Sequence, residues 1–216
     1  MSARDEVLAR IRSALGDAPA APEAPREYRR STGQQAGGAA VIARFTDRLA
    51  DYGARVRTAT SDQLGAELAT ALEGEPSAVV PPGLPASWRT TVESTVADVR
   101  VDGEPGPLVP AELDAIAVVV TACRAAIAET GTLVLDGEPD QGRRAITLVP
   151  DHHVVVVFAE QVVASVPEAL ALLDPARPLT LVSGPSATSD IEFQRVQGVH
   201  GPRRLDVVIV VDSAAP

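Results

Sequence analysis

Residues 178–206, PLTLVSGPSATSDIEFQRVQGVHGPRRLD, decide how this chain is read. The stretch opens as an apolar strand over Leu179–Val182 and breaks into a loop of small and hydroxylated residues, Ser183-Gly184-Pro185-Ser186-Ala187-Thr188-Ser189. It continues as a short amphipathic helix, Ile191–Val196, starting near Asp190, and ends on a second polar turn, Gly198-Val199-His200-Gly201-Pro202-Arg203. A strand, a Ser/Gly/Thr loop and a helix start are together suited to holding an anion. The loop supplies hydroxyls and close backbone N–H groups, and the helix end adds unpaired N–H groups and a partial positive charge. Ser183, Gly184, Ser186 and Thr188 are the candidate contacts. Gly, Pro, Ser and Asp are also ordinary turn residues, so a purely structural loop has the same composition. Asp190 and Glu192 are expected at a helix start, and they repel an anion unless an arginine or another cation offsets them.

The second turn adds His200. Its flanking glycines permit unusual torsions and close backbone approach, and an imidazole serves as acid, base or donor near neutral pH. The alternative is a turn histidine bonded to backbone. Ser186 lies in GPSAT and lacks the G-x-S-x-G elbow, which argues against a serine hydrolase. No G-x-G-x-x-G dinucleotide fingerprint occurs either.

Outside this stretch, 216 residues suffice for one sizeable core and a small appendage. Apolar residues make up 45% but aromatics only 3%, so the core is built of Val, Leu, Ile and Ala. A net charge of −10 argues against nucleic acid, which needs a basic face. No run of apolar residues is long enough for a membrane span, and the charged N-terminus has no signal-peptide core; the expectation is a soluble, cytoplasmic protein. The single Cys123 excludes an internal disulfide and a cluster ligated by this chain alone. Lysine is absent, which removes Schiff-base chemistry and the P-loop lysine.

In chain order, residues 2–15 have helical periodicity, with Val7, Leu8, Ile11 and Leu15 among charges. Gly16 ends that helix, and a Pro/Ala-rich linker and a loose Gly-rich stretch (Gly33–Ala40) lead to a body starting near Val41. The expected division is an arm and linker, 1–40, and an α/β domain, 41–216. A helix over Val41–Tyr52, a strand over Arg55–Thr58, a helix capped by Ser61 or Asp62 and running to Glu73, and strands at Ser77–Val80, Val96–Val101 and Ile116–Val120 alternate as in a mostly parallel sheet. Gly131–Leu135, Ala145–Val149 and Val154–Phe158 are apolar runs without room for crossover helices, which predicts an antiparallel excursion. Glu160–Leu173 reads as a helix and Val207–Val211 as the closing strand.

Three further groups of residues carry chemistry. Glu129-Thr130-Gly131-Thr132 sits before a strand and supplies a carboxylate and two hydroxyls, with Glu129 a general acid or base or, alternatively, an exposed residue at a helix end. Arg143 and Arg144 have the forked geometry that suits a carboxylate or phosphate, or they cap a solvated hairpin. His152 and His153 point to opposite faces of an extended segment and make a poor joint metal site; no metal site is predicted. Glu129, His200 and Asp190 are the candidate proton-handling groups.

Taken together, AIAETGTLVL, TLVPDHHVVVV, SGPSATSDIE and GVHGPRRLDVVIV resemble the lactate-utilization (LUD) domain family over about residues 41–212. The resemblance implies a Rossmann-like α/β fold, similar to the superfamily of ribose-5-phosphate isomerase, glucosamine-6-phosphate deaminase and CoA transferases. It also implies a part in bacterial oxidation of L-lactate to pyruvate beside iron–sulfur partner proteins, the clusters lying on the partners and no cofactor in this chain. The family pattern maps onto Glu129, Thr130 and Gly131, onto Ser183, Gly184, Ser186, Thr188, Asp190 and Glu192, and onto His200, Gly201 and Pro202. Ala187 departs from it, standing where a longer polar or basic residue is expected. Two alternatives stay open: a non-catalytic assembly or regulatory subunit of the same system, and an enzyme binding a sugar phosphate, nucleotide or acyl-CoA.

Overall fold

The computed structural model describes residues 2–16, 23–189, 195–197 and 200–211, with backbone alone for 187–189 and 195–197. Its centre is a six-stranded, wholly parallel sheet. The strands are β1 (Arg55–Ala59), β2 (Ser77–Val80), β3 (Asp98–Val101), β4 (Val118–Thr121), β7 (His152–Phe158) and β12 (Arg204–Val210), in the spatial order β1-β12-β7-β4-β2-β3. Parallel strands need cover on both faces, so they read as continuous valine-rich runs. Here Val154, Val156, Val208 and Val210 project to one face, where α3 (Leu64–Ala71) and α4 (Ala86–Thr95) bury them under Leu68, Trp88 and Val92. Val155, Val157, Val207 and Ile209 project to the other, against Phe45 and Leu49 of α2 (Ala39–Asp51) and Leu133. Trp88 stacks obliquely near Phe158, with ring centroids 6.1 Å apart, and serves packing.

Leu133 belongs to a second, mixed sheet. It has the order β8 (Val162–Val163), β5 (Ala125–Ile127), β6 (Thr132–Leu135) and β9 (Thr180–Val182); β5–β6 and β6–β9 are antiparallel and β5–β8 is parallel. The predicted α/β class with an antiparallel excursion is thus present, although its composition differs. Val154–Phe158 runs parallel inside the main sheet between β4 and β12. The run Ala145–Val149 is not a strand: Arg144–Leu148 forms the helix α6. Ala145, Ile146 and Val149 all pack against Val79, Val119 and Leu113, and that spacing belongs to one helical face.

Two predicted helices are also corrected. Within Glu160–Leu173 the chain makes a 3₁₀ turn at Ala159–Gln161, the strand β8, and only then the helix α7 (Val166–Leu170). Val162 and Val163 bond along β5, and that tertiary pairing overrides the helical pattern. Within Ile191–Val196, residues 195–197 form β11, paired antiparallel with β10 (Ala187–Ser189); Asp190, Glu192 and the rest of that helix lie outside the described residues. At the start of α3 the N-cap position falls to Gln63, without a side-chain cap, while Asp62 accepts a hydrogen bond from Thr60 at 2.5 Å.

The helix α1 (Ala3–Leu15) has a capping box in which Ser2 and Asp5 exchange hydrogen bonds, and it buries no residue. The Gly-rich stretch before α2 is not loose. Ser31 and Thr32 all direct donors to Glu168, and the Gly37 N–H bonds Val162. Burial pushes the Glu168 carboxyl up, but the hydrogen bonds from Thr32, Ser31 and the Ser165 N–H outweigh it and hold it at about 2. A short helix α5 (Pro110–Asp114) completes the fold, and among the described residues no helix is long and apolar enough to cross a membrane.

Candidate functional site

A cleft lies where α6 faces the second sheet. It has two compartments, of about 820 and 320 Å³, which share Arg144, Thr147 and Thr180 as lining residues. The larger one opens among the segments that follow β2 and β3, Pro82 and Asp102, and the loop Asp136–Pro139 after β6. That is the carboxyl-end rim of the main sheet, the usual place for ligands in open α/β folds. The smaller one lies between β9 and the turn entering β12, lined by Ser183, Gly184, Ser186, His200, Gly201 and Pro202 among others. Two motif loops of the 178–206 stretch therefore meet at one cavity.

Backbone pairing fixes those loops to each other. The Ser186 N–H bonds the Pro202 carbonyl at 2.8 Å, and the His200 N–H bonds Ser186 Oγ at 3.1 Å. These two amides are spent inside the protein, and no helix start follows the loop among the described residues. His200 is exposed at the cavity, while the Gly201 backbone is half-buried there. Thr188 contributes backbone to β10 only, as far as the described atoms go.

The charges along the cleft separate the two adjacent arginines. Arg143 closes a two-pronged pair with Asp102, at 2.6 and 2.8 Å, and also donates to the Leu108 carbonyl. Burial pushes the Asp102 carboxyl up, but Arg143 and the Leu108 N–H outweigh it and hold it below the usual carboxylate range. Arg177 donates to Glu138 at 2.5 Å and to the Asp136 carbonyl at 3.0 Å. Arg144 has no side-chain hydrogen bond or ion pair with the described residues, and it lines both compartments. Of the predicted pair, Arg143 is tied to Asp102, and Arg144 is the guanidinium without a partner among the described residues. Sequence reasoning passed over Asp102 and Arg177, which hold the walls; a lone Asp and a lone Arg in loops carry no pattern to find them by.

Glu129-Thr130-Gly131 forms the turn of the β5–β6 hairpin and lines neither compartment. Glu129 is exposed. The turn reaches the cleft indirectly, through a chain of hydroxyls: Thr130 to Thr132 at 2.7 Å and Thr132 to Ser183 at 2.7 Å. Gly131 and Gly184 both have positive φ, 59° and 82°, and both press on α2: a Cβ would meet Arg48 Cβ at 2.8 Å and Tyr52 Cβ at 2.5 Å. Packing alone requires glycine at both.

The histidine pair lies elsewhere, buried in β7. His152 is held between Glu75, at 3.1 Å, and Asp206, at 2.9 Å, and Arg204 reaches the same Glu75 oxygen at 2.6 Å. His153 bonds Thr121 at 2.8 Å, and burial, with His152 beside it, depresses its pKa to about 3. The two rings do point to opposite faces. Burial, reinforced by Asp140 and Asp136, raises the Cys123 thiol far above its ordinary range, so it is inert.

Comparison with known proteins now bears on this geometry. Residues 109–210 match the LUD domain, a segment running from just before α5 to the end of β12 and including both loops of the cleft. The chain is 46% identical over 176 residues to lactate utilization protein C of Deinococcus radiodurans, spanning 80% of each. The chain belongs to the LUD domain family. A lactate utilization protein C from Bacillus licheniformis is 32% identical over 101 residues, 43% of this chain and 42% of that protein. Among solved structures, a DUF162 family protein from Deinococcus radiodurans superposes with a TM-score of 0.67 at 40% identity, over 80% of this chain and 98% of that one. The LUD domain match covers most of the cleft lining, whereas Pro82, Asp102, Gly103 and Pro107 come from outside it.

Proposed function

We propose that this LUD domain protein is a component of a bacterial lactate utilization system, and that its cleft binds the carboxylate of L-lactate or pyruvate at Arg144. The observation that supports the site is the Arg144 guanidinium, unpaired among the described residues, which lines one compartment with Ser186 and His200 in a chain whose relatives are named for lactate utilization. A guanidinium fork matches a carboxylate in geometry and charge. His200, exposed at the same cavity, accepts the substrate's hydroxyl proton as lactate becomes pyruvate. The Cα–H bond breaks as the carbonyl forms; its proton is released to solvent and its two electrons leave for iron–sulfur partner proteins, since a single buried cysteine cannot ligate a cluster. Glu129 takes no part in proton transfer in this reading.

The test is lactate oxidation by the chain reconstituted with its partners. Positioned acid–base groups contribute about 100-fold or more to rate, and His200→Ala lowers turnover by that order. An undiminished rate removes His200 from the chemistry.

One feature favours an assembly role alongside. Val7, Ile11 and Leu15 of α1 are 54%, 51% and 60% exposed, so this helix has no use in the chain's own core. Deleting residues 1–30 spares the anchored Ser31 and Thr32. The truncated chain keeps its melting temperature and, if α1 docks partners, no longer co-purifies with them; retained association would dismiss that role.

A further inference from the structure

The cleft is larger than lactate needs. A six-heavy-atom hydroxy acid occupies on the order of 100 Å³, judged against about 30 Å³ for one water, and the smaller compartment of about 320 Å³ suffices for that. The adjoining compartment, of about 820 Å³, is then open to whatever the acid carries besides its carboxylate and hydroxyl. Its lining is of two kinds. Pro82, Pro107, Leu135, Pro139, Ala176 and Pro178 present apolar surface. The acids there are each tied to an arginine: Asp102 to Arg143, and Asp136 and Glu138 to Arg177. The Arg144 guanidinium, on the same lining, has no hydrogen bond or ion pair with the described residues.

This combination selects by charge as well as by size. One carboxylate meets an open guanidinium at Arg144, whose fork suits its geometry. A second anionic group carried into the larger compartment meets arginines already closed on Asp102, Asp136 and Glu138, and loses hydration without gaining a free partner. An apolar side chain instead leaves water for the proline and alanine walls, worth about fourfold in affinity for each methylene fully buried. The place of Arg144 fits such a molecule, because it lines both compartments. In a 2-hydroxy acid the carboxylate, the hydroxyl and the side chain branch from one carbon. With its carboxylate at Arg144, such an acid can turn its hydroxyl toward the compartment of Ser186 and His200 and its side chain toward the other.

We infer that the cleft binds, in preference to lactate, 2-hydroxy monocarboxylates whose apolar side chain is larger than methyl, such as isobutyl or benzyl, with that side chain seated in the larger compartment. The inference rests on the proposed carboxylate seat at Arg144 and adds what occupies the space beside it. Arg144 sets the single negative charge, and the apolar walls set the length of the side chain.

Calorimetric titration of the full-length chain with L-lactate, L-2-hydroxy-4-methylpentanoate, L-3-phenyllactate and L-malate tests this. At least one of the two larger monocarboxylates should bind tenfold or more tighter than lactate, and malate no tighter than lactate. Ala176→Trp puts an indole on an exposed part of the larger compartment's lining and should remove that advantage, leaving lactate affinity within twofold of the parent. Pro107→Trp, on another exposed part of the lining, repeats the test if Ala176→Trp fails to fold. Arg144→Gln should weaken all three monocarboxylates at least tenfold. Larger acids bound no tighter than lactate overturn the inference, as does an advantage that a folded tryptophan variant leaves intact, or malate bound more tightly than lactate. Lactate binding that depends on Arg144, with no gain from the larger side chains, defeats this inference and leaves the lactate reading standing. Binding of a larger acid that depends on Arg144 and falls in the tryptophan variant, with lactate not bound, supports the inference and removes lactate as the substrate. Larger acids bound undiminished by Arg144→Gln defeat both.

Discussion

The Glu129–Thr132 turn and the pair of loops at Ser183–Ser186 and His200–Pro202 are made of similar residues, glycines flanked by hydroxyls and one ionisable group. Their roles in the structure differ. In the first, Gly131 presses on α2, Thr132 is buried, and the hydroxyls of Thr130 and Thr132 bond each other. In the second, His200 is exposed and Ser186 half-buried in a compartment that Arg144 also lines, although Gly184 presses on Tyr52 at the end of α2. A glycine–hydroxyl motif therefore marks a shape requirement, and only the groups left uncommitted at a cavity mark where a ligand can be held.

Substitutions should separate the two regions. The largest effect falls on the packed turn. Gly131→Val places a branched Cβ in left-handed backbone at 2.8 Å from Arg48 Cβ, and chemical denaturation should show a loss of about 3 kcal/mol from strain and overpacking together. The glycine at the cleft is the control. A Cβ on Gly201 meets nothing closer than 3.6 Å and no positive φ is required there, so Gly201→Ala should cost less than about 0.5 kcal/mol. Equal losses would erase the distinction between the regions.

Acid is expected to act on the buried region next. His153 is neutral in the folded chain down to about pH 3, against an ordinary value of 6.5. Below pH 6.5 the unfolded chain gains a proton that the folded chain refuses, so His153 favours unfolding progressively as pH falls from 6.5 toward 3. By pH 5 this amounts to about 2 kcal/mol, at roughly 1.4 kcal/mol per unit. Denaturation of His153→Gln across that range should show a flatter pH dependence than the parent; parallel curves would assign the acid sensitivity to other groups.

Much of the fold was legible because buried parallel strands leave a direct imprint: Val154–Val157 and Val207–Val210 read as strands from composition alone. The Ser183 and His200 segments were legible as loops too, since clusters of glycine, proline and hydroxyl residues announce loops. What failed were short elements whose state is set by tertiary partners. β8 exists because β5 pairs with it, and α6 because one face of five residues meets Val79 and Val119. The difference between Arg143 and Arg144 was invisible for the same reason, as it depends on Asp102, 41 positions away. So was the Glu75–His152–Asp206 cluster, assembled across 77 and 54 positions.

The smallest expected effect on stability belongs to Arg144, and it carries the most functional weight. Arg144→Gln removes no bond to the described residues and should change folding stability by less than about 0.5 kcal/mol. The decisive measurement is calorimetric binding of L-lactate and pyruvate to the parent chain, Arg144→Gln and Glu129→Gln. Loss of a charged hydrogen-bonded contact is worth about 1.5 to 3 kcal/mol, so affinity should fall by about tenfold or more in Arg144→Gln and stay unchanged in Glu129→Gln. Full affinity in Arg144→Gln, or its loss in Glu129→Gln, would contradict the placement of the site in the cleft.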